Sequence, residues 1–167
     1  MDKRTAEASL GEFASFHEGY VRHYITLADT KAAVLLGLTS TFIGFLFSKP
    51  AFHDLLFSPT CSWRSWLAWA STALLVAGAG FAAWVITPRL RQTSEGLVFF
   101  GAVRAYPSHV AYAQAVRSAG GDQLTEARLR HCYDVSAVCW RKYHNLRLAI
   151  CFSVAGFASS LPLLGSV

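Results

Sequence analysis

Charge is what this chain has least of. Only 15% of its 167 residues are Asp, Glu, Lys or Arg, against about 25% in an average soluble protein. A water-soluble domain with so few ionised groups would have difficulty covering its surface. Enzyme signatures are lacking as well: there is no Gly-x-Ser-x-Gly, no phosphate loop, no dinucleotide fingerprint and no paired-carboxylate motif. Nothing supplies a nucleophile with its base or an acid–base pair, so no catalytic residue and no enzyme activity are expected. The four cysteines do not build a framework, because Cys61 stands alone on a short connection, Cys151 lies in an apolar run, and Cys132 and Cys139 share one helix. No disulfide is expected, which suits a reducing compartment. His131, Cys132, Cys139 and His144 invite a metal, but the two cysteines are seven residues apart, about 10 Å along a helix and too far to share one zinc without another element between them. No metal site is expected. Proline is absent before Pro50, so nothing interrupts a long N-terminal helix. The first apolar run begins beyond residue 30, after a partly acidic segment, and carries no signal-peptide pattern.

What the chain has instead is apolar sequence in blocks. Hydrophobic residues make up 53%, and three runs carry no charge at all: Ala32 to Ser48 (17 residues), Ser65 to Pro88 (24) and Leu148 to Val167 (20). A helix rising about 1.5 Å per residue needs roughly 20 residues to cross a hydrocarbon core of about 30 Å. The first run reaches that length if Leu27 and Ala28 are included and Lys31 snorkels to the interface. An all-α membrane protein with three transmembrane helices is expected. Its segments are an N-terminal helix (1–26), spans over 27–48, 65–88 and 147–167, a short connection (49–64) and a helical sensing region (89–146).

Basic residues set the orientation. Between the second and third spans, Arg89 to Arg147 holds nine of the fifteen basic residues against four acidic ones, whereas the connection between the first two spans has only Lys49 and Arg64. Positive-inside places the long segment and the N-terminus in the cytoplasm and the C-terminus in the periplasm. Trp63, Trp66 and Trp69 fit an interfacial belt.

Two junctions connect water to lipid without a break. Leu10, Phe13, His17, Tyr20, Val21, Tyr24 and Leu27 recur by threes and fours, an amphipathic stripe that runs into the first span. A helix from about Ala6 to Phe47 would be roughly 60 Å long. Near the other end, Val138 to Phe152 changes from polar and basic to apolar with no proline or glycine at the change-over. Leu124, Cys132, Val135, Cys139, Tyr143, Leu146 and Ile150 form its stripe, and Asp122 is placed to cap it. Between the two, residues 97–106 suit a strand or a short helix, with helix favoured because no partner strand is evident. Pro107-Ser108 opens a helix that stops at Gly120-Gly121, with Ser108 as N-cap.

The basic residues admit two readings. One is topology and contact with anionic lipid, worth about 1 kcal/mol per residue near the surface. The other is a pocket for a small anion, since a guanidinium forks onto phosphate and Phe99, Phe100, Tyr106, Trp140 and Tyr143 offer faces for a base. Nucleic acid is not an expected partner, because the net charge of +5 is mostly accounted for by orientation. Asp29 and Lys31 stand at the mouth of the first span. Two residues apart on a helix, they point to different faces, so Asp29 calls for a cation elsewhere: Arg89, Lys142 or Arg147.

These pieces resemble a known family, the small transmembrane effectors of Pycsar anti-phage systems. The similarity is carried by Leu27-Ala28-Asp29-Thr30-Lys31-Ala32-Ala33-Val34-Leu35 entering span one and Pro88-Arg89 leaving span two. It continues in Leu97-Val98-Phe99-Phe100-Gly101 and in Arg141-Lys142-Tyr143 before span three. The resemblance runs from about residue 15 to the C-terminus. It implies an inner-membrane protein that responds to a cyclic pyrimidine mononucleotide, cyclic CMP or cyclic UMP, made by a cognate cyclase on infection. The response impairs the inner membrane and aborts the infection. The cyclic nucleotide would be the activating ligand, with no other cofactor; the lipid bilayer and further copies of the chain would be the partners. With the residue reading, it makes Arg89, Arg104, Phe100, Arg141, Lys142, Tyr143, Asp29 and Lys31 the candidate ligand residues. Another nucleotide-signalled pore-former, or a membrane scaffold or transporter subunit, stays open as an alternative.

Overall fold

The computed structural model describes residues 3–57, 62–87 and 96–164, and side chains from residue 9 onward. Among the described residues the chain is all helix: α1 (Lys3–Phe47), α2 (Pro50–Phe57), α3 (Trp63–Ile86), α4 (Phe100–Ala105), α5 (His109–Ser118) and α6 (Gly121–Leu164). Three of them, α1, α3 and α6, are long and apolar enough to cross a membrane. Both long helices run without interruption, α1 for 45 residues and α6 for 44. Pro162 sits in the last turn of α6, so the hydrogen bond it cannot make and the clash of its ring fall on the single turn before it, at the end of the helix.

Burial explains why these helices pair. On α1, Ala14, Val21 and Ala28 are buried, and then Ala32, Thr39 and Leu46. On α6, Cys132, Leu146, Ser153 and Ser160 are buried, and with them Ala149 and Leu163. Each set repeats every seven residues, with a second row three or four positions away, the seam of a coiled coil. Most of these side chains are small, which lets the backbones approach closely.

The chain divides into two compact units, 1–25 with 88–140, and 26–87 with 141–167. In the first, Ala14, Val21, Ala102 and Cys132 are each buried. The Cys132 thiol donates to the Ala14 carbonyl at 3.5 Å. Ser136 donates its one proton to the Cys132 carbonyl at 2.7 Å, so His17, 3.0 Å away through Nε2, must be the donor of that bond. Arg128 donates to Ser15 at 2.9 Å and lies 3.9 Å from Glu18. Higher numbers on α1 meet higher numbers on α6, so the two strands of this seam are parallel. The hydroxyl of Tyr112 donates to the Leu97 carbonyl at 3.0 Å and its ring meets that of Tyr106, which ties α5 to the segment leading into α4. Gly96 there has φ 141°, a conformation that side chains resist.

In the second unit α1 and α6 are again parallel, with Thr39 donating to Ser153 at 3.2 Å and Phe42 edge-on to Phe157 at 4.7 Å. Helix α3 runs antiparallel to α6: Phe81 stacks on Phe152, Gly78 lies against Ala149 and Ser153, and Leu75 against Gly156. At one end Leu46, Phe52, Leu56, Ala68, Leu75 and Leu163 form an apolar cluster. At the other, Ala28, Ala32, Val85 and Leu146 form a second, with Ile86 and Tyr143 packed on it.

Several sequence expectations change in detail. Pro50–Phe57 is a helix with Phe52 and Leu56 buried, not a bare connection. Asp122 lies inside the first turn of α6, which begins at Gly121; its carboxylate favours the helix through the dipole rather than as cap. Ser108 is the N-cap of α5, accepting from the Ala111 N–H at 3.2 Å. Residues 100–105 are the favoured helix. Of the expected N-terminal stripe only Val21 is buried; Leu10, Phe13, Tyr20 and Tyr24 are exposed, because the smaller residues beside them face α6. Leu124 and Ile150 are likewise exposed.

Candidate functional site

The candidate residues are best built up from Asp29. It follows Ala28 on α1, where that helix presents Ala28 and Ala32 to Val85 and Leu146. A carboxylate at the entry to an apolar span needs a cation or a set of hydrogen bonds, since an unpaired charge there is costly. Lys142 provides it. Its Nζ donates to the Asp29 carboxylate and also, at 2.7 Å, to the carbonyl of Val85. Val85 is in the last turn of α3, where four carbonyls have no partner within the helix and attract positive charge. One ammonium therefore joins α1, α3 and α6. The Lys142 side chain is 17% exposed and that of Asp29 36%, so the pair is partly withdrawn from water and screened less than a surface ion pair. Of the cations open to Asp29 that lie among the described residues, Lys142 is the one that pairs with it.

The other candidates fall around this node or apart from it. In the same unit Arg141 and Lys31 are exposed, while Tyr143 is half-buried against the Ala28–Val85 cluster. Phe100 and Arg104 belong to the first unit, both exposed and four residues apart on α4, hence on one face. The Phe99 and Phe100 rings lie 4.6 Å apart, tilted. Arg89 lies outside the described residues. Cys132 and Cys139 occupy successive heptad positions of the α6 seam. Burial pushes the Cys132 thiol up, Glu18 adds to the rise and Arg128 opposes it; a thiol held protonated is a packing group rather than a ligand or nucleophile. Among the described residues no three or more His, Cys, Asp or Glu side chains gather as a metal site.

Sequence reasoning missed the Val85 carbonyl and the seam contacts of Ser15, His17, Glu18, Arg128 and Ser136. A main-chain acceptor leaves no residue signature. The seam could have been found from spacing, since residues 11, 14, 18, 21, 25 and 28 repeat as regularly as the apolar stripe beside them.

Comparison with known proteins bears on the whole of this arrangement. The family model described as the Pycsar effector protein domain matches residues 13–167. A Staphylococcus aureus protein described as a Pycsar effector protein is 24% identical over 151 residues, covering 90% of this chain and 91% of its own length. No solved structure matches. The match takes in α1 from residue 13 onward, all of α3 and α6, and the node that Lys142 makes between them. The chain belongs to the Pycsar effector family: it is an anti-phage defence effector with three helices able to span a membrane.

Proposed function

We propose that this effector responds on its cytoplasmic side to cyclic CMP or cyclic UMP, made by a cognate pyrimidine cyclase, and then impairs the inner membrane so that the infected cell stops before phage mature. The observation that carries the reading is the Lys142 node. The phosphodiester of a cyclic mononucleotide is an oxyanion like the Asp29 carboxylate, and can replace it on Lys142. Exposed Arg141, next on the helix, supplies the guanidinium that a carboxylate partner would not require. Withdrawal of Asp29 frees α1 from α6 at the point where α3 ends. The ligand acts by its differential affinity for the two arrangements; moving such an equilibrium from 1:99 to 99:1 takes about 5.5 kcal/mol. Three spans cannot enclose a pore, so the leak is made by several copies, each binding one nucleotide. Phe100 and Arg104 on α4 offer a ring and a guanidinium on one face and are the second place to test.

Calorimetry on the purified full-length protein tests binding. Cyclic CMP or cyclic UMP is expected to bind, and Arg141→Ala to weaken it at least tenfold with helical content unchanged. Failure of both nucleotides to bind at millimolar concentration overturns direct sensing. Full affinity in Arg141→Ala, with loss in Phe100→Ala or Arg104→Ala, moves the site to α4.

A further inference from the structure

Two helices of the second unit repeat one spacing on their outer faces. On α1 an exposed cation, Lys31, is followed at three, seven and fourteen residues by Val34, Leu38 and Phe45. On α6 exposed Arg147 is followed at the same intervals by Ile150, Val154 and Leu161. All six apolar side chains are between 44% and 64% exposed. Intervals of three and seven keep residues on one helix face, so each cation heads its own apolar stripe. The two stripes also begin at one level. Asp29 meets Lys142 and Thr39 meets Ser153, a register that sets Lys31 level with residues 144–145, less than a turn from Arg147.

Neither cation has a side-chain carboxylate to neutralise it within this unit. Segments 26–87 and 141–167 contain two acidic residues, Asp29 and Asp54. Asp29 is held by Lys142. Asp54 is on α2, whose Phe52 and Leu56 belong to the apolar cluster at the opposite end. At that opposite end Lys49 is half-buried and lies 5.1 Å from the centre of the Phe45 ring.

We infer that Lys31 and Arg147 bind the phosphate of anionic phospholipid, whose acyl chains cover the stripe beyond each cation. Each stripe has a two-part chemistry that fits this occupant. A soluble anion would satisfy the cation and leave Val34 and Leu38, or Ile150 and Val154, bare. Phosphatidylcholine would cover the apolar part but bring its own cation along with its phosphate. An anionic phospholipid meets both needs, and basic residues at a membrane surface attract it. Distance agrees. The residue seven on from each cation lies about 10 Å further along the helix, within the roughly 15 Å of hydrocarbon that one leaflet contributes. Long basic stems reach from the edge of that layer to the headgroups. Lys142 precedes Arg147 by five residues, which puts the node about 7–8 Å to the water side of these phosphates. A solute then reaches it without crossing acyl chains.

The test compares how spin-labelled phosphatidylglycerol and spin-labelled phosphatidylcholine associate with the full-length protein in phosphatidylcholine vesicles. The readout is the motionally restricted fraction in the electron spin resonance spectrum, with no nucleotide present. Phosphatidylglycerol is expected to be preferred by about twofold or more, and the preference to fall as salt screens the cations. Lys31→Gln/Arg147→Gln is expected to lose most of it with wild-type helicity, and each single substitution to lose part. Lys31→Arg/Arg147→Lys keeps both charges and is expected to retain it. Lys49→Gln, at the opposite end, is expected to change it little. Equal association of the two lipids with the wild type, a preference that survives Lys31→Gln/Arg147→Gln, or equal loss in Lys49→Gln would each overturn the assignment. So would loss of the preference in inorganic phosphate but not in chloride of the same ionic strength, which would give the cations to a free anion. The outcome does not depend on nucleotide sensing, which calorimetry reads separately.

Discussion

Lys142 joins three helices through two contacts of one ammonium. Removing it leaves Asp29 at the entry of an apolar span with no counter-charge, and leaves a helix-end carbonyl of α3 uncapped. Truncating one partner of a fully buried pair costs about 3–5 kcal/mol and of an exposed pair about 0–1; for this half-withdrawn pair Lys142→Ala is expected to cost about 1–3 kcal/mol. A double-mutant cycle with Asp29→Ala, read by denaturant unfolding in micelles, is expected to show the second substitution costing much less once the first is made. Additive losses would mean that the two side chains do not work as a pair. Cys132 gives a different signature. Burial holds its thiol protonated in the fold, whereas in the unfolded chain it ionises near about 8.5. Stability from that site is fully present at neutral pH and is lost as pH rises past that value. Unfolding at pH 7 and pH 9.5 is expected to show a decline in the wild type that Cys132→Ala reduces.

At the scale of helices, close approach is set by what is small. A Cβ at Gly78 would meet the Ser153 hydroxyl, the Ser153 nitrogen at 2.9 Å and the Ala149 carbonyl at 3.2 Å. Since backbone cannot give way cheaply, Gly78→Ala is expected to push α3 from α6 and cost about 1–3 kcal/mol. Gly80, two residues on, has nothing within 4 Å, so Gly80→Ala is expected to be neutral or slightly stabilising. The Thr39–Ser153 hydrogen bond is worth about 0.6 kcal/mol by comparison with others in membranes, so Thr39→Val is expected to fall between the two. Thermal unfolding in one detergent ranks all three, and a Gly80→Ala loss equal to that of Gly78→Ala would contradict this packing.

The same scale shows why some elements were legible and others were not. Charge-free runs and the lack of breakers are one-dimensional properties, so three spans and two uninterrupted helices could be read from Ala32–Ser48, Ser65–Pro88 and Val138–Phe152. Which face of α1 turns inward could not be read that way. Both faces repeat by threes and fours, and apolar side-chain area favours Phe13 and Tyr20 over Ala14 and Ala28, yet the small residues win because they allow α6 to come close. At the candidate site, the need of Asp29 for a cation was legible, but the choice of Lys142 depended on where α3 ends and where its carbonyls point. Asp122 was misplaced by one turn feature, since Gly121 already adopts the helix.

For the whole molecule, the Lys142 node is the one place among the described residues where α1, α3 and α6 are tied by a single charged group. Asp29→Ala removes the anion that holds Lys142 and is expected to make leak less dependent on nucleotide. Arg141→Ala is expected to insert normally and to stay silent, and Lys142→Ala to leak without nucleotide. The most direct measurement is dye release from liposomes of anionic lipid carrying the full-length protein, with cyclic CMP or cyclic UMP added on the side of the basic segment. Nucleotide-gated leak requires release that rises with nucleotide in the wild type and not in Arg141→Ala. Release that neither nucleotide changes, from protein shown to be inserted and helical, would contradict it.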